Sequence, residues 1–212
     1  MPYLLFHKPY GVLSQFGDAG ATEHATLRDF IPVPEVYPVG RLDQDSEGLM
    51  LLTDDGKLQH WLSDPRFRHP RSYWAQVEGV PTAEAIARLT AGGLAIQNYH
   101  TLPCGVAVIT PQVPPRNPPI RHRLTVPTAW LALTLYEGKN RQVRRMTAAV
   151  GLPTLRLIRV AIAHLELGDL ACGAWRFLTE PEVCQLKAIA NPQVKAQKPR
   201  SARAVSARRS TS

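Results

Sequence analysis

Residues 39–53 read VGRLDQDSEGLMLLT, and the rest of the chain is organised around this stretch. Apolar runs at 36–39 and 49–52 flank its polar centre, and their short length and Val/Leu content predict two buried strands. The polar centre holds one cation and three carboxylates: Arg41, Asp43, Asp45 and Glu47. A loop held between two buried strands is a fixed platform for chemistry. Acids in an arbitrary loop of this kind are more often solvated residues or helix caps, so the stretch alone does not establish a catalytic role.

Composition indicates a folded, water-soluble chain. Hydrophobic residues make up 44% of the 212 residues, which supports a buried core in one substantial domain or two small ones. No apolar run approaches the ~20 residues of a membrane span, and the start lacks the layout of a signal peptide, so we expect a cytoplasmic protein. Cys104, Cys172 and Cys184 are widely spaced and form no CxxC pair, which predicts neither a disulfide framework nor a zinc site. We expect all three to be small buried hydrophobic residues.

The net charge of +8 is unevenly distributed. Residues 191–212 carry six cations and no acid, and residues 114–159 carry nine cations against Glu137. The remainder of the chain is net acidic. A basic segment and a basic tail indicate a polyanionic partner such as nucleic acid, although a solvated helix face and a solubilising tail would have the same composition. The tail has little to bury and is predicted to be disordered, which leaves residues 1–190 as the folded domain.

Periodicity and chain breakers predict alternating strands and helices along the domain. The predicted strands are 3–7, 36–39, 49–52, 73–78, 106–109, 130–136 and 155–162. The predicted helices are 27–30, 57–62, 82–90, 141–150 and 182–190. A capping box, Thr179 to Glu182, precedes the last helix.

Two basic stretches stand out. Residues 110–127 contain five prolines within ten residues, together with three arginines, which predicts an extended and fairly stiff basic loop. This loop is either a spacer or an arm that touches phosphates. Residues 138–146, GKNRQVRRM, start in a turn and enter a helix. Arginines at a helix start oppose the helix dipole, which a sequence tolerates more readily when they meet anions, either phosphates or the acidic loop.

Three motifs follow one another in order: GRLD with SEGL at 40–49, RSYWAQV at 71–77, and GKNRQVRRM at 138–146 followed by LRLIR at 155–159. Together they resemble the aspartate motif, the tyrosine strand and the basic helix of the pseudouridine synthases in the RsuA/RluB/RluE/RluF group. The resemblance covers residues 3–180. The stretches at 115–121 and 135–148 are most similar to the RluE branch.

The resemblance implies an α+β fold with a mixed, largely antiparallel sheet in two subdomains, a central cleft, and no S4 domain. It implies isomerisation of one uridine in domain V of 23S rRNA to pseudouridine. Because this reaction exchanges an N1–C1′ bond for a C5–C1′ bond without gain or loss of atoms, we expect no cofactor and no metal. The expected partner is 23S rRNA or a ribosome assembly intermediate, with no membrane, and the expected state is a monomer.

The resemblance also assigns roles to residues. Asp43 is the catalytic carboxylate, which either attacks C1′ or removes a proton from C2′. Arg144 is its paired cation, Tyr73 stacks on the flipped uracil and assists deprotonation at C5, and Leu157 packs under the base. Arg41 is expected to position the loop or to contact an RNA phosphate, and further RNA contacts are expected from Arg116, Arg121, Arg141 and Arg145.

Two rival interpretations remain open at this point. A non-catalytic RNA-binding or ribosome-assembly protein would suit the basic stretches but leaves Asp43, Tyr73 and Arg144 unexplained. A glycoside hydrolase could pair Asp43 with Asp45 or Glu47, but gives no reason for the basic helix and tail. Under the synthase interpretation, Asp45 and Glu47 have loop-shaping or solvated roles.

Overall fold

One mixed sheet runs through the whole protein. The computed structural model describes residues 1–17, 24–121, 123 and 125–191. Its strands are β1 (Tyr3–Lys8), β2 (Tyr37–Pro38), β3 (Glu47–Thr53), β4 (Arg71–Glu78), β5 (Ala95–Ile96), β6 (Tyr99–His100), β7 (Gly105–Ile109), β8 (Thr128–Leu135), β9 (Thr154–Ile162), β10 (Leu165–Glu166) and β11 (Trp175–Phe177). Its α-helices are α1 (Gly56–Ser63), α2 (Ala83–Ala91), α3 (Gln142–Ala149) and α4 (Glu180–Ala190).

The sheet order is β11-β1-β3-β9-β4-β8-β7, with β2 added to β3 and β10 added to β9. Strands β3 and β9 are parallel, and the remaining pairs in this sheet are antiparallel. Strands β5 and β6 form a separate antiparallel hairpin. The predicted α+β fold with a mixed, largely antiparallel sheet is therefore confirmed.

Apolar clusters on the two halves of the sheet define two subdomains. Strand β3 is buried along its whole length, because side chains on both of its faces are covered. Leu49 and Leu51 pack into one cluster, and Met50 and Leu52 pack into another. This double burial explains why 49–52 is continuously apolar and does not alternate. The third cluster forms around β4, β8, α2 and α3.

The two halves join where β3 meets β9. Gly48 pairs with Arg159 at this junction and has a φ of +106°, in the region that favours glycine. A Cβ added at Gly48 would lie 2.3 Å from the carbonyl oxygen of Arg159. The glycine in the SEGL motif is therefore required by close backbone approach. Because β3 begins at Glu47, the prediction that this acid belongs to the loop is wrong.

The other differences from the predicted elements have local causes. The strand predicted at 36–39 is reduced to the two residues of β2, where Pro38 has no N–H for the ladder. The predicted helix 141–150 begins at Gln142, since Arg141 is in the left-handed region with φ of +50°. Strands β5, β6, β10 and β11 were not predicted, because two or three residues are too few to show a period.

The cysteines differ in their exposure to solvent. Cys104 is buried as predicted, but Cys172 and Cys184 are exposed, so the prediction is wrong for these two. The prediction of a disordered tail concerns residues that lie, from 192 onward, outside the described part of the chain. Within the described part, none of the helices is both long and apolar enough to span a membrane.

Candidate active site

A cleft of about 700 Å³ lies between the loop that precedes β3 and the turn that precedes α3. Residues 40–46 are called the Asp43 loop below. Five of the predicted site residues line the cleft: Arg41, Asp43, Tyr73, Arg141 and Leu157. Strand β4 therefore brings the tyrosine motif, and β9 the LRLIR motif, to the same cavity as the aspartate motif.

The segment after β1 holds the Asp43 loop in place. The Gly11 N–H donates to the Gln44 carbonyl at 2.9 Å. The Ser14 hydroxyl donates to the Leu42 carbonyl at 2.7 Å and accepts from the Leu42 N–H at 3.2 Å. These contacts span about thirty residues of sequence, and the sequence analysis did not foresee them.

Lys8 anchors the same region from inside the protein. Its side chain is fully buried, and its ammonium donates to the carbonyls of Pro9, Val12 and Gln44 at 2.8, 2.7 and 3.4 Å. Burial lowers the pKa of Lys8 to about 8, against the opposing effect of nearby carboxylates. A buried ammonium that bonds three carbonyls fixes the segment on which the Asp43 loop rests.

Arg141 contacts both aspartates of the Asp43 loop. Its Nη1 lies 3.4 Å from Asp43 Oδ2. It also binds Asp45 with two hydrogen bonds, Nη1 to Oδ1 at 3.0 Å and Nη2 to Oδ2 at 2.8 Å. Burial acts to raise the pKa of Asp45, but the hydrogen bond from Arg141 and the charges of Arg144 and Arg141 hold that pKa below its ordinary value. Of the loop-shaping and solvated roles expected for Asp45, these ion pairs support the loop-shaping one.

Arg144 supports the loop from behind. Its Nη2 donates to the backbone carbonyl of Asp45 at 2.7 Å and lies 3.4 Å from Asp45 Oδ2. Its Nη1 donates to the Thr154 carbonyl at 3.3 Å. Burial lowers the pKa of the Arg144 guanidinium below its ordinary value. Within the described part of the chain, the cation in ion-pair contact with Asp43 is thus Arg141, whereas Arg144, the predicted partner, holds the backbone carbonyl of Asp45.

Tyr73 and Leu157 lie on adjacent strands that border the cleft. Tyr73 is half-buried and stands opposite Arg159 of β9 in the β4–β9 pairing. Leu157 is buried, two residues from Arg159 and so on the same face of β9. The Arg159 Nε donates to the Leu49 carbonyl at 2.7 Å, which ties β9 to β3 beneath the cleft. A ring and a branched alkyl group together can receive a flat, apolar face.

The turn that carries Arg141 is fixed by a buried acid. Glu137 Oε1 accepts from the Leu102 N–H at 3.0 Å and from the side-chain amide of Gln142. The amide oxygen of Gln142 in turn accepts from the Lys139 N–H at 3.2 Å. Because Glu137 and Gln142 are both buried, these bonds hold the turn in one conformation. The left-handed backbone at Arg141 is part of this conformation, and sequence reasoning missed both residues.

Glu47 forms a second ion pair behind the cleft. Its carboxylate accepts from Arg156 Nε at 2.9 Å and from Arg156 Nη2 at 2.8 Å. Glu47 is 2% exposed and Arg156 is 8% exposed. Of the two roles expected for Glu47, the solvated one is therefore wrong, because its carboxylate is buried and paired with Arg156. Arg156 was not singled out as a site residue.

The arginines predicted to contact RNA differ in their placement. Arg41 is exposed at the cleft, and Arg121 is exposed in the basic loop. Arg145 donates to the side-chain oxygens of Gln97 and Asn140 at 2.6 and 2.9 Å. The Arg116 guanidinium stacks on the Tyr10 ring at 3.9 Å and bonds two carbonyls of its own segment. Arg145 and Arg116 are therefore both engaged in contacts within the protein.

The described residues contain no group of three or more His, Cys, Asp or Glu side chains that could hold a metal ion. The cleft offers one accessible carboxylate, two guanidinium groups, a phenol and an apolar floor. A sequence model of the family described as RNA pseudouridylate synthase matches residues 2–149. The chain belongs to this family.

Individual relatives agree with this assignment. The synthase is 56% identical over 170 residues to ribosomal large subunit pseudouridine synthase E of Xanthomonas axonopodis pv. citri, covering 79% of this chain and 89% of the relative. It is 51% identical over 179 residues to the protein of the same name from Vibrio vulnificus, covering 84% and 75%. A crystal structure of a pseudouridylate synthase superposes with a TM-score of 0.73 at 27% identity, covering 87% of this chain and 73% of the other. The predicted family and enzyme class are confirmed.

Proposed function

We propose that this enzyme isomerises a specific uridine of 23S rRNA to pseudouridine, with Asp43 as the catalytic carboxylate. One observation carries the proposal: Asp43, Arg141, Tyr73 and Leu157 line a single cleft in a chain of the pseudouridylate synthase family. The large-subunit substrate is supported by the names of the relatives that are more than half identical to this chain.

Asp43 has the environment that the reaction requires. Its side chain is 34% exposed, so it is accessible from the cleft, and Arg141 Nη1 lies 3.4 Å from its Oδ2. The carboxylate either attacks C1′ to form a covalent intermediate or removes a proton from C2′ to give a glycal. In both routes the N1–C1′ bond breaks and the base turns. C5 then bonds to C1′, either displacing the Asp43 oxygen from C1′ or adding to the glycal as the proton returns to C2′. The C5 proton then leaves and N1 takes up a proton, so the product is an isomer of the substrate.

The neighbouring residues hold the base while it is detached. Tyr73 stacks on the uracil and its hydroxyl assists removal of the C5 proton, and Leu157 packs under the ring. Arg144 keeps the Asp43 loop in position through the Asp45 carbonyl. The target nucleotide must leave its stack at a cost of a few kcal/mol, and phosphate contacts from Arg41 and Arg121 offset that cost.

The setting of the reaction follows from the substrate. We propose that the enzyme acts as a monomer in the cytoplasm, on free 23S rRNA or on an assembly intermediate, and without a cofactor. The direct test is to incubate the purified full-length protein with an unmodified 23S rRNA transcript and to map pseudouridine along it. New pseudouridine at one position is expected. Tight RNA binding without any isomerisation would favour the ribosome-assembly alternative.

A further inference from the structure

The proline-rich part of the basic loop is fastened to the protein at two points. Residues 111–119 are called the proline segment below. The Pro114 carbonyl accepts a hydrogen bond from Arg156 Nη1 at 2.7 Å. Two residues further on, the Arg116 guanidinium lies over the Tyr10 ring, 3.9 Å from the ring centroid. Because proline fixes φ, Pro114 and Pro115 restrict the short stretch of backbone that links the two anchors.

The first anchor leads to the start of β3. Arg156 holds the Pro114 carbonyl with one nitrogen and the Glu47 carboxylate with its other two. Glu47 is the residue that directly follows the Asp43 loop. Because both charged groups are almost completely buried, the three partners have little freedom to move independently.

The second anchor leads to the middle of the Asp43 loop. Tyr10 precedes Gly11, whose N–H donates to the Gln44 carbonyl at 2.9 Å. The Gln44 side-chain amide returns a hydrogen bond to the Gly11 carbonyl at 3.3 Å. Gln44 is adjacent to Asp43, so a shift of Tyr10 would be passed on to the catalytic carboxylate.

The Arg116 guanidinium is already bonded within the protein. Its Nε donates to the Pro118 carbonyl at 2.7 Å and its Nη2 donates to the Pro119 carbonyl at 2.9 Å. One face of the group is covered by Tyr10. An arginine in this arrangement stabilises the shape of the proline segment, which differs from the RNA-contact role expected from charge alone.

We propose that the proline segment is a structural support for the Asp43 loop, and that Arg116 and Arg156 are positioning residues for the isomerisation. The inference rests on the proposed function of Asp43. It assigns the segment to catalytic geometry, whereas the phosphate-contacting arm considered from the sequence assigns it to RNA affinity. The two roles affect different measurable quantities.

The test uses the full-length enzyme with substitutions at the second anchor. Arg116→Gln and Tyr10→Leu each remove the stacking of the guanidinium on the Tyr10 ring. Arg116→Lys keeps the positive charge but replaces the planar guanidinium, which stacks on the ring and bonds two carbonyls, by an ammonium group. The single-turnover rate at saturating enzyme and the Kd for a 23S rRNA fragment are measured for each variant. We expect the rate to fall about tenfold while the Kd changes by less than about twofold. The double variant Arg116→Gln/Tyr10→Leu should be no slower than either single variant, because both changes remove one contact.

Controls separate the proposal from its alternatives. Arg176→Gln removes one positive charge from an arginine that pairs with Glu182, and it should leave rate and Kd unchanged. Thermal melting of every variant confirms that rates are compared between folded proteins. If Arg116→Gln has the same single-turnover rate at saturating enzyme as the wild type, the proposal is overturned. If Arg116→Gln binds the 23S rRNA fragment more weakly and Arg116→Lys restores the affinity, the segment is an RNA-contacting arm instead. Absence of pseudouridine with the wild-type enzyme would refute the proposed function itself.

Discussion

Removal of the Glu47 charge should destabilise the protein strongly, because Arg156 would remain charged where it is 8% exposed. We consider Glu47→Leu, which keeps most of the side-chain volume. Breaking a buried ion pair by removing one partner costs about 3–5 kcal/mol. Arg156 keeps its bond to the Pro114 carbonyl, so the lower half of that range is expected. For a chain of this size, about 3–4 kcal/mol corresponds to a fall in Tm of roughly 6–16 °C.

Differential scanning calorimetry measures this effect, and a second variant tests its cause. In Glu47→Leu/Arg156→Met both charges are replaced by apolar groups, so most of the lost stability should return. The exposed pair Asp64–Arg66 provides the matched control: Arg66→Met should leave Tm unchanged within error, because solvent screens that pair. A Tm for Glu47→Leu within about 2 °C of the wild type would contradict the reasoning. The double variant lacks the guanidinium that donates to the Pro114 carbonyl. It should therefore be more stable than Glu47→Leu but form pseudouridine more slowly than the wild type.

Three further predictions concern Gly48 where β3 pairs with β9, the stability of the protein at low pH, and the basic C-terminal tail. Gly48→Ala should lower the free energy of unfolding, measured by chemical denaturation, by about 2–4 kcal/mol, because the backbone must move away from Arg159. Gly40→Ala is the control: φ is also positive at Gly40 but the space around it is open, so the loss should be about 1–2 kcal/mol. The pKa of Glu182 is lowered to about 2, chiefly by the hydrogen bond from Arg176, so its stabilising contribution is present above pH 4.5 and lost as pH falls towards 2. The difference in Tm between the wild type and Glu182→Gln should therefore shrink between pH 4.5 and pH 2, and a constant difference would contradict this prediction. Truncation after residue 191 removes six cations. It should leave Tm unchanged and reduce the slope of log K for RNA association against log salt concentration by up to roughly 4. An unchanged slope would exclude the tail as an RNA contact.

The elements that the sequence predicted well are those with a strong local signal. The run Leu49–Leu52 is apolar on both faces and could only be a buried element. The capping box at Thr179 and Glu182 is present as predicted, with the Glu182 carboxylate accepting from the Thr179 N–H at 2.8 Å. The motif residues Asp43, Tyr73 and Leu157 line one cleft, as the family resemblance implied.

The features that could not be predicted depend on contacts between distant segments. Arg141 and Arg144 are three residues apart, and the sequence does not show that Arg141 has a left-handed backbone and contacts Asp43 while Arg144 bonds the carbonyls of Asp45 and Thr154. Glu47 resembles its neighbouring loop acids in sequence, yet it is paired with a residue 109 positions away. Arg116 has the composition of an RNA contact, but its partners are carbonyls of its own segment and an aromatic ring near the start of the chain.

The most direct test of the central claim compares two neighbouring acids in the same assay. Pseudouridine formation in a 23S rRNA transcript is measured under single-turnover conditions for the wild type, Asp43→Asn and Asp45→Asn, together with RNA affinity. We expect Asp43→Asn to form no detectable product while its Kd stays within about twofold, because the substitution removes the reacting carboxylate and keeps the shape of the loop. Asp45→Asn should retain a reduced but measurable rate, since it only weakens the hold of Arg141 on the loop. Wild-type levels of product from Asp43→Asn would contradict the assignment of this residue as the catalytic carboxylate.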